Sequence, residues 1–315
     1  MTFAATLCLV LAALYALTCV VLSIGVALTW RLGLERRCSR PDELLALRLL
    51  PTVGAAFLTL TVVLPAFFIH EPRHEGELVG PLVWVLALSA LGAAGHGMVR
   101  GWRAWAATRA LLERCGPADR SAVRAGVDIV RMSEPVAAVV GLWRPRILAA
   151  DCVKAACSDE EFRQVIAHEA AHVSAHDNVK LFLQIVSPDA LILMPAGQAL
   201  TERWRAATEL AADARASGCD PRKRVALASA LLKVARLSSG TLPRSPALIM
   251  PVAVDDVEGR VRELLAPRPV SYRPLPLKAL VACALLIVGA GAPLYGSVHE
   301  LIESLVAFGT SHDGF

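Results

Sequence analysis

The feature that most constrains this chain is a set of four uncharged apolar runs, at 3–30, 49–69, 78–99 and 279–298. Each is long enough to cross a bilayer as a helix, which takes about 20 residues. The rest of the chain is too charged for membrane alone. Overall 55% of residues are apolar, 19% are charged and the mean hydropathy is +0.52, against about 45–50% apolar and about 25% charged for a soluble domain. Disorder and collagen-like structure are excluded by the same composition. The net charge of +4 carries no nucleic-acid signature, so no direct nucleic-acid partner is expected. The first run lacks a basic leader and is longer than a signal-peptide core, so it reads as a retained helix.

Arginine placement sets the orientation. Arg31, Arg36, Arg37, Arg40 and Arg48 follow the first run, and Arg100, Arg103, Arg109 and Arg114 follow the third. Arg260, Arg262, Arg268, Arg273 and Lys278 precede the fourth. The loop 70–77 has one arginine and three glutamates, and the tail 299–315 has no Lys or Arg. One topology fits every loop: both termini outside, the loop 31–48 and the segment 100–278 in the cytoplasm. The expected organisation is three membrane helices in 1–99, a cytoplasmic domain at 100–278, a fourth membrane helix at 279–298 and a short external tail at 299–315. The Arg-rich stretches 31–48 and 100–114 suit anionic lipid, and Trp102 and Trp105 suit the interfacial belt. A fifth stretch, 181–200, contains Asp189, which would be costly in mid-bilayer. It reads as a core or membrane-surface segment.

Within 100–278, Val127–Val130, 136–140 and 146–149 read as short strands, the last two flanking the turn 141–145. Ser158-Asp-Glu-Glu161 is a capping box opening a helix to about His176. A second helix covers about 199–217. A third begins at Asp220-Pro221 and runs to about Leu237. The stretch 240–252, with three prolines, reads as a loop, and Val257–Leu265 as a short helix. The eight cysteines form no CxxC pair, which suits free thiols in a reducing compartment.

The chemistry lies in His168-Glu169-Ala-Ala-His172. Histidines at i and i+4 share a helix face and can converge on one metal ion. Glu169 then sits where its carboxylate can reach a water held at that ion. Imidazole suits zinc, and a catalytic zinc takes three protein ligands, so one Zn²⁺ per chain is expected. Apolar neighbours such as Val165, Ile166 and Val173 argue against a merely solvated polar face. The third ligand comes from elsewhere. Glu209, in Glu209-Leu-Ala-Ala-Asp213, is the best candidate, with Asp213 able to accept the spare N–H of a ligand histidine. His176 and Glu202 compete for the ligand position. Asp177 and Asn178 suit either second-layer support or ordinary helix ends. His176 and Arg205 could each face an oxyanion, and nothing in the sequence selects between them.

HEAAH followed by ELAAD about forty residues later resembles the gluzincin metallopeptidases of membranes. Three further segments are similar to the BlaR/MecR family of antirepressor metallopeptidases: the hairpin Pro135-Val-Ala-Ala-Val-Val-Gly141-Leu-Trp-Arg-Pro145-Arg-Ile147, Asp177 five residues after His172, and Glu258-Gly-Arg260-Val-Arg-Glu-Leu-Leu265. The topology is also similar. The resemblance implies a mainly α fold of four transmembrane helices, with a cytoplasmic α+β gluzincin-like peptidase domain between spans three and four. It implies a zinc endopeptidase in the plasma (inner) membrane that signals by cutting a protein substrate, such as a winged-helix repressor, and it leaves room for a homodimer. The β-lactam receptors of that family carry a penicillin-binding domain after the fourth span. The tail 299–315 has no SxxK, so β-lactam sensing is not expected. A quality-control peptidase would share the same site and differ in breadth of substrate. A signalling protein with a silent site is disfavoured by the intact His-Glu-His set. A transporter is disfavoured because the spans carry only His96 and no mid-membrane charge.

Overall fold

The computed structural model describes residues 2–33, 38–70, 79–114, 127–130, 137–237, 249–251 and 256–267, together with 300 and 304. The expected fourth span at 279–298 and the tail 299–315 apart from 300 and 304 lie outside these residues. The described chain is mainly helical. Three helical stretches, Phe3–Arg31, Pro41–Ile69 and Pro81–Glu113, are long and apolar enough to cross a membrane.

Helix α1 (Phe3–Arg31) runs beside both α2 (Pro41–Leu58) and α4 (Pro81–Arg114). Val10 and Leu14 of α1 meet Val63 and Phe67, while Ala13 meets Val83 and Ala87. Helix α2 begins eight residues before the apolar run at 49, because Pro41 at the first helical position and Asp42 and Glu43 in the first turn start a helix well. It continues through a π-turn, Thr59–Val63, into α3 (Leu64–His70). Pro65 explains the π-turn: its ring excludes the carbonyl four residues back and it has no N–H to donate. The helix accommodates this with a bond from the Leu64 N–H to the Thr59 carbonyl.

The four-stranded sheet has the order β1 (Val127–Val130), β3 (Arg146–Ala150), β2 (Ala137–Val140), β4 (Ile249–Pro251). β1 is parallel to β3, and β2 is antiparallel to both β3 and β4. The three expected strands form as read. β4 corrects the reading of 240–252 as loop throughout. Pro251 ends a strand on the sheet edge, where its missing N–H is tolerated. Gly141 turns the β2–β3 hairpin at a φ of +104°.

The helices α5 (Asp151–Ala156), α6 (Asp159–Ala175), α7 (Asp177–Val186), α8 (Pro195–Ser217), α9 (Pro221–Leu237) and α10 (Val257–Leu265) complete the fold. One core joins Ala137 of β2, Val165 of α6, Leu227, Ala228, Ala230 and Leu231 of α9, and Leu264 of α10. A second joins the apolar bundle to the other half: Val26 and Trp30 of α1 and Leu44 and Leu47 of α2 pack with Leu181, Leu191, Leu200, Trp204 and Ala207.

The stretch 181–200 is not a span. It is the bend between two helices: α7 ends at Val186, a 3-10 turn covers Ala190–Leu193, and α8 starts at Pro195, four residues before the expected 199. The bend touches the middle of α1, where the Cys19 thiol donates to the Pro188 carbonyl. Helix α7 lies directly against α4. A Cβ on Gly97 would come within 2.3 Å of the Val186 carbonyl oxygen, so only glycine fits there.

Candidate metal centre

Helix α6 is fixed at its start. Ser158 Oγ accepts from the Glu161 N–H, and Glu161 Oε2 accepts from the Ser158 N–H at 2.7 Å. Glu161 also accepts from Ser229 and Lys233 of α9, each at 2.6 Å. Val165 packs in the core with β2 and α9. It lies three residues before His168, and His172 one turn after His168, so the three share one side of α6. The core thus runs on along that side into the cluster that α8, packed against α6, completes.

His168 and His172 come together with Glu209 of α8. The two Nε2 atoms are 3.1 Å apart. His168 Nε2 lies 3.4 Å from Glu209 Oε2, and His172 Nε2 lies 3.6 Å from Glu209 Oε1. A tetrahedral zinc with bonds of about 2.0–2.1 Å has ligand–ligand edges of about 3.3 Å. The two short Glu209 contacts run to different oxygens, and one donor atom from each of the three residues lies within 4.8 Å of the others, close enough to share one ion. All three side chains are buried.

Each histidine is held from behind by a carboxylate. His172 Nδ1 lies 2.9 Å from Asp177 Oδ2, and His168 Nδ1 lies 2.8 Å from Asp213 Oδ1. The first is an aligned hydrogen bond. The second is an ion-pair contact off the ideal line. Both orient the ring so that Nε2 faces the cluster. Asp213 lies one turn beyond Glu209 on α8 and faces His168. Asp177 reaches His172 because His176 ends α6 in the left-handed region, at a φ of 56°. The chain turns there and α7 begins at Asp177. Lys180 reaches Asp177 from the outer side, 3.6 Å away.

Glu169 is fully buried, at 0% exposure. Neither of its carboxylate oxygens has a hydrogen-bond partner among the described residues. Burial pushes its carboxyl above the ordinary range. An orphaned acid of this kind beside two imidazoles is what a site completed by a cation and a water requires.

Sequence reasoning counted Arg260 among the arginines before the fourth run and within the similar segment 258–265, but gave it no role at the site. It is buried on α10, and its Nε and Nη2 donate to the two Asp213 oxygens at 2.8 and 2.6 Å. Its Nη1 lies 2.9 Å from Glu209 Oε2. Burial works against charge at Asp213 and Glu209, but Arg260 and His168 outweigh it, and both carboxyls sit below the ordinary range. Burial likewise works against a charged His168. The carboxylates of Asp213 and Glu209 outweigh it and raise His168 well above its ordinary value. The pocket thus draws positive charge, as a proton or as a metal ion. The residues fit a metal.

The competing candidates fall elsewhere. His176 and Glu202 are exposed and stand outside the cluster. His176 is not a further turn of α6, because the helix has already ended. Arg205 is exposed on α8. Asn178 is buried and structural: its side-chain amide donates to the Val139 and Gly141 carbonyls, tying α7 to the hairpin.

The family model described as BlaR1 peptidase M56 matches residues 78–264, more than half of the chain. No curated protein and no solved structure matches.

Proposed function

The chain belongs to the BlaR1 peptidase M56 family, and from that membership we propose that it is a membrane zinc endopeptidase with His168, His172 and Glu209 as metal ligands. The observation that carries the reading is the buried cluster of His168, His172 and Glu209, with donor atoms within 4.8 Å of one another, beside an unpartnered, fully buried Glu169. A zinc ion held there supplies the positive charge that polarises the scissile carbonyl and acidifies the attacking water. Glu169 takes the proton from that water as its oxygen bonds to the carbonyl carbon. The C–N bond then breaks, and Glu169 gives the proton to the leaving amine nitrogen. Burial, which raises the Glu169 carboxyl, suits it to both the taking and the giving. Asp213 and Asp177 hold the two imidazoles in the tautomer that leaves Nε2 free to bind. Arg260, 2.9 Å from Glu209 Oε2, favours the charged carboxylate that a metal ligand must offer.

The arginine distribution supports a multi-pass protein of the inner membrane, with both termini outside, a fourth span at 279–298 and the peptidase segment 100–278 in the cytoplasm. A site on that side suits a soluble cytoplasmic substrate, and the family points to a winged-helix repressor cut as a signal. The test compares new protein N-termini in cells expressing the wild type and Glu169→Gln. A few soluble proteins cut only by the wild type, a repressor among them, is the expected result. A broad set of cut membrane proteins would replace signalling with quality control. Cleavage that persists in Glu169→Gln at more than about a hundredth of the wild-type rate would end the mechanism.

A further inference from the structure

The bend between α7 and α8 carries a second buried ionic group. Arg48 Nη1 of α2 donates to Asp189 Oδ2 at 2.6 Å, and Thr52 Oγ donates to the same oxygen at 3.1 Å. The side chains of Arg48 and Asp189 are 4% and 0% exposed. The pair sits inside the apolar bundle, beside the Cys19–Pro188 contact at the middle of α1. Burying a charge pair this deep gives little net stability over apolar packing, so stability alone accounts poorly for it. Its position suggests what it does instead. Helix α8 starts six residues after Asp189, and between Gln198 and Ser217 it contains neither glycine nor proline. Glu209 lies fourteen residues into it, about 21 Å along the axis. Leu200, Trp204 and Ala207 clamp the intervening turns against α1 and α2. A helix held this way transmits a shift at one end to the other as a rigid rod.

We propose that Arg48 and Asp189 are positioning residues for the metal centre: their ion pair fixes the membrane end of α8 and so sets where Glu209 and Asp213 meet the two histidines. This rests on the reading of His168, His172 and Glu209 as metal ligands. Metal ligation needs donors placed within a few tenths of an ångström, and a loosened α8 would move Glu209 relative to α6 while leaving the fold intact.

The test uses the full chain in detergent. It measures Zn²⁺ affinity by chelator competition, the visible spectrum of the Co²⁺-substituted protein, and thermal stability. The variants are Asp189→Asn, Arg48→Lys and the double exchange Arg48→Asp with Asp189→Arg. Folded Asp189→Asn should bind Zn²⁺ about tenfold more weakly, at the low edge of the loss seen when a direct partner of a ligand is removed, with a changed Co²⁺ spectrum. The double exchange should restore both, even where Asp189→Asn does not fold. Folded Asp189→Asn with wild-type Zn²⁺ affinity and spectrum would overturn the proposal. So would a double exchange that either fails to fold or folds without recovering the affinity. A wild type that binds no Zn²⁺ would remove the metallopeptidase reading first and this proposal with it.

Discussion

The two buried ionic groups of this molecule are built on opposite charge plans. At the bend between α7 and α8, the Arg48 guanidinium meets the Asp189 carboxylate with the Thr52 hydroxyl beside it, and Arg100 stands near enough to interact with both, so positive charge is not in short supply. At the other end of α8, four buried carboxylates (Glu169, Asp177, Glu209 and Asp213) gather around one buried guanidinium among the described residues, that of Arg260, with Lys180 approaching Asp177 from outside. Buried negative charge in such excess is expensive unless a cation completes it. The first group has no need of a further cation, whereas the second is a receptor for one. The same helix carries both, so the two can be tested against each other.

The largest effect should come from removing one guanidinium at a time. Arg260→Met leaves two buried carboxylates without their partner and should cost about 3–5 kcal/mol in the metal-free chain, and Arg48→Met should cost a similar amount. Zinc then separates them. Added Zn²⁺ should raise the Tm of Arg260→Met by more than it raises that of the wild type, because the ion replaces the missing charge. In Arg48→Met the gain should be no larger than in the wild type. Equal gains in all three chains would show that the two groups do not differ in their need for a cation.

Next come the supports behind the histidines. Asp213→Asn and Asp177→Asn should each weaken Zn²⁺ binding by about 10–100-fold, read by chelator competition. Thr52→Val in the other group should cost about 1 kcal/mol, one hydrogen bond, with little change in Zn²⁺ affinity. A Thr52→Val chain that loses metal as Asp213→Asn does would mean that the bend controls the site far more tightly than an ion pair acting through a helix allows.

The two groups also differ in how far a reader of the sequence can see them. His168, Glu169 and His172 announce themselves because helical spacing alone puts them on one face, and Glu209 with Asp213 repeats the trick on α8. Asp177 needed a turn that only the left-handed His176 supplies. Arg260 was visible as part of a short helix, but its role depends on α10 reaching Asp213 from 47 residues away, and no local pattern records that. The Arg48–Asp189 pair spans 141 residues. The cost of Asp189 in an apolar stretch was legible, and its remedy was not. The apolar runs gave the bundle but placed the start of α2 too late, since Pro41, Asp42 and Glu43 begin a helix without being apolar. The strand β4 was hidden by prolines that an edge position tolerates.

The smallest expected effect concerns a charged group intermediate between these two, at the start of α6. Burial works against the Glu161 carboxylate, but hydrogen bonds from Lys233, Ser229 and the Ser158 N–H outweigh it and hold its pKa at about 2, below the ordinary 4.5. A lowered pKa in the folded chain means that the unfolded chain takes up the proton first as the pH falls. The stability from this charge is therefore fully present above about pH 4.5 and is lost as the pH falls toward about 2. Glu161→Gln keeps the capping pattern, since glutamine also serves at that position, and removes only the charge. In the presence of a chelator, the wild type should be more stable than Glu161→Gln at pH 7 by about 1 kcal/mol, and the difference should shrink steadily as the pH falls below 4.5. Because Glu161 lies about two turns from His168 and on the far side of Val165, Zn²⁺ affinity at pH 7 should match the wild type. A stability difference that does not vary with pH would assign the effect to packing at the α6–α9 contact rather than to charge. A loss of metal in Glu161→Gln would place this third group with the receptor rather than with the closed pair.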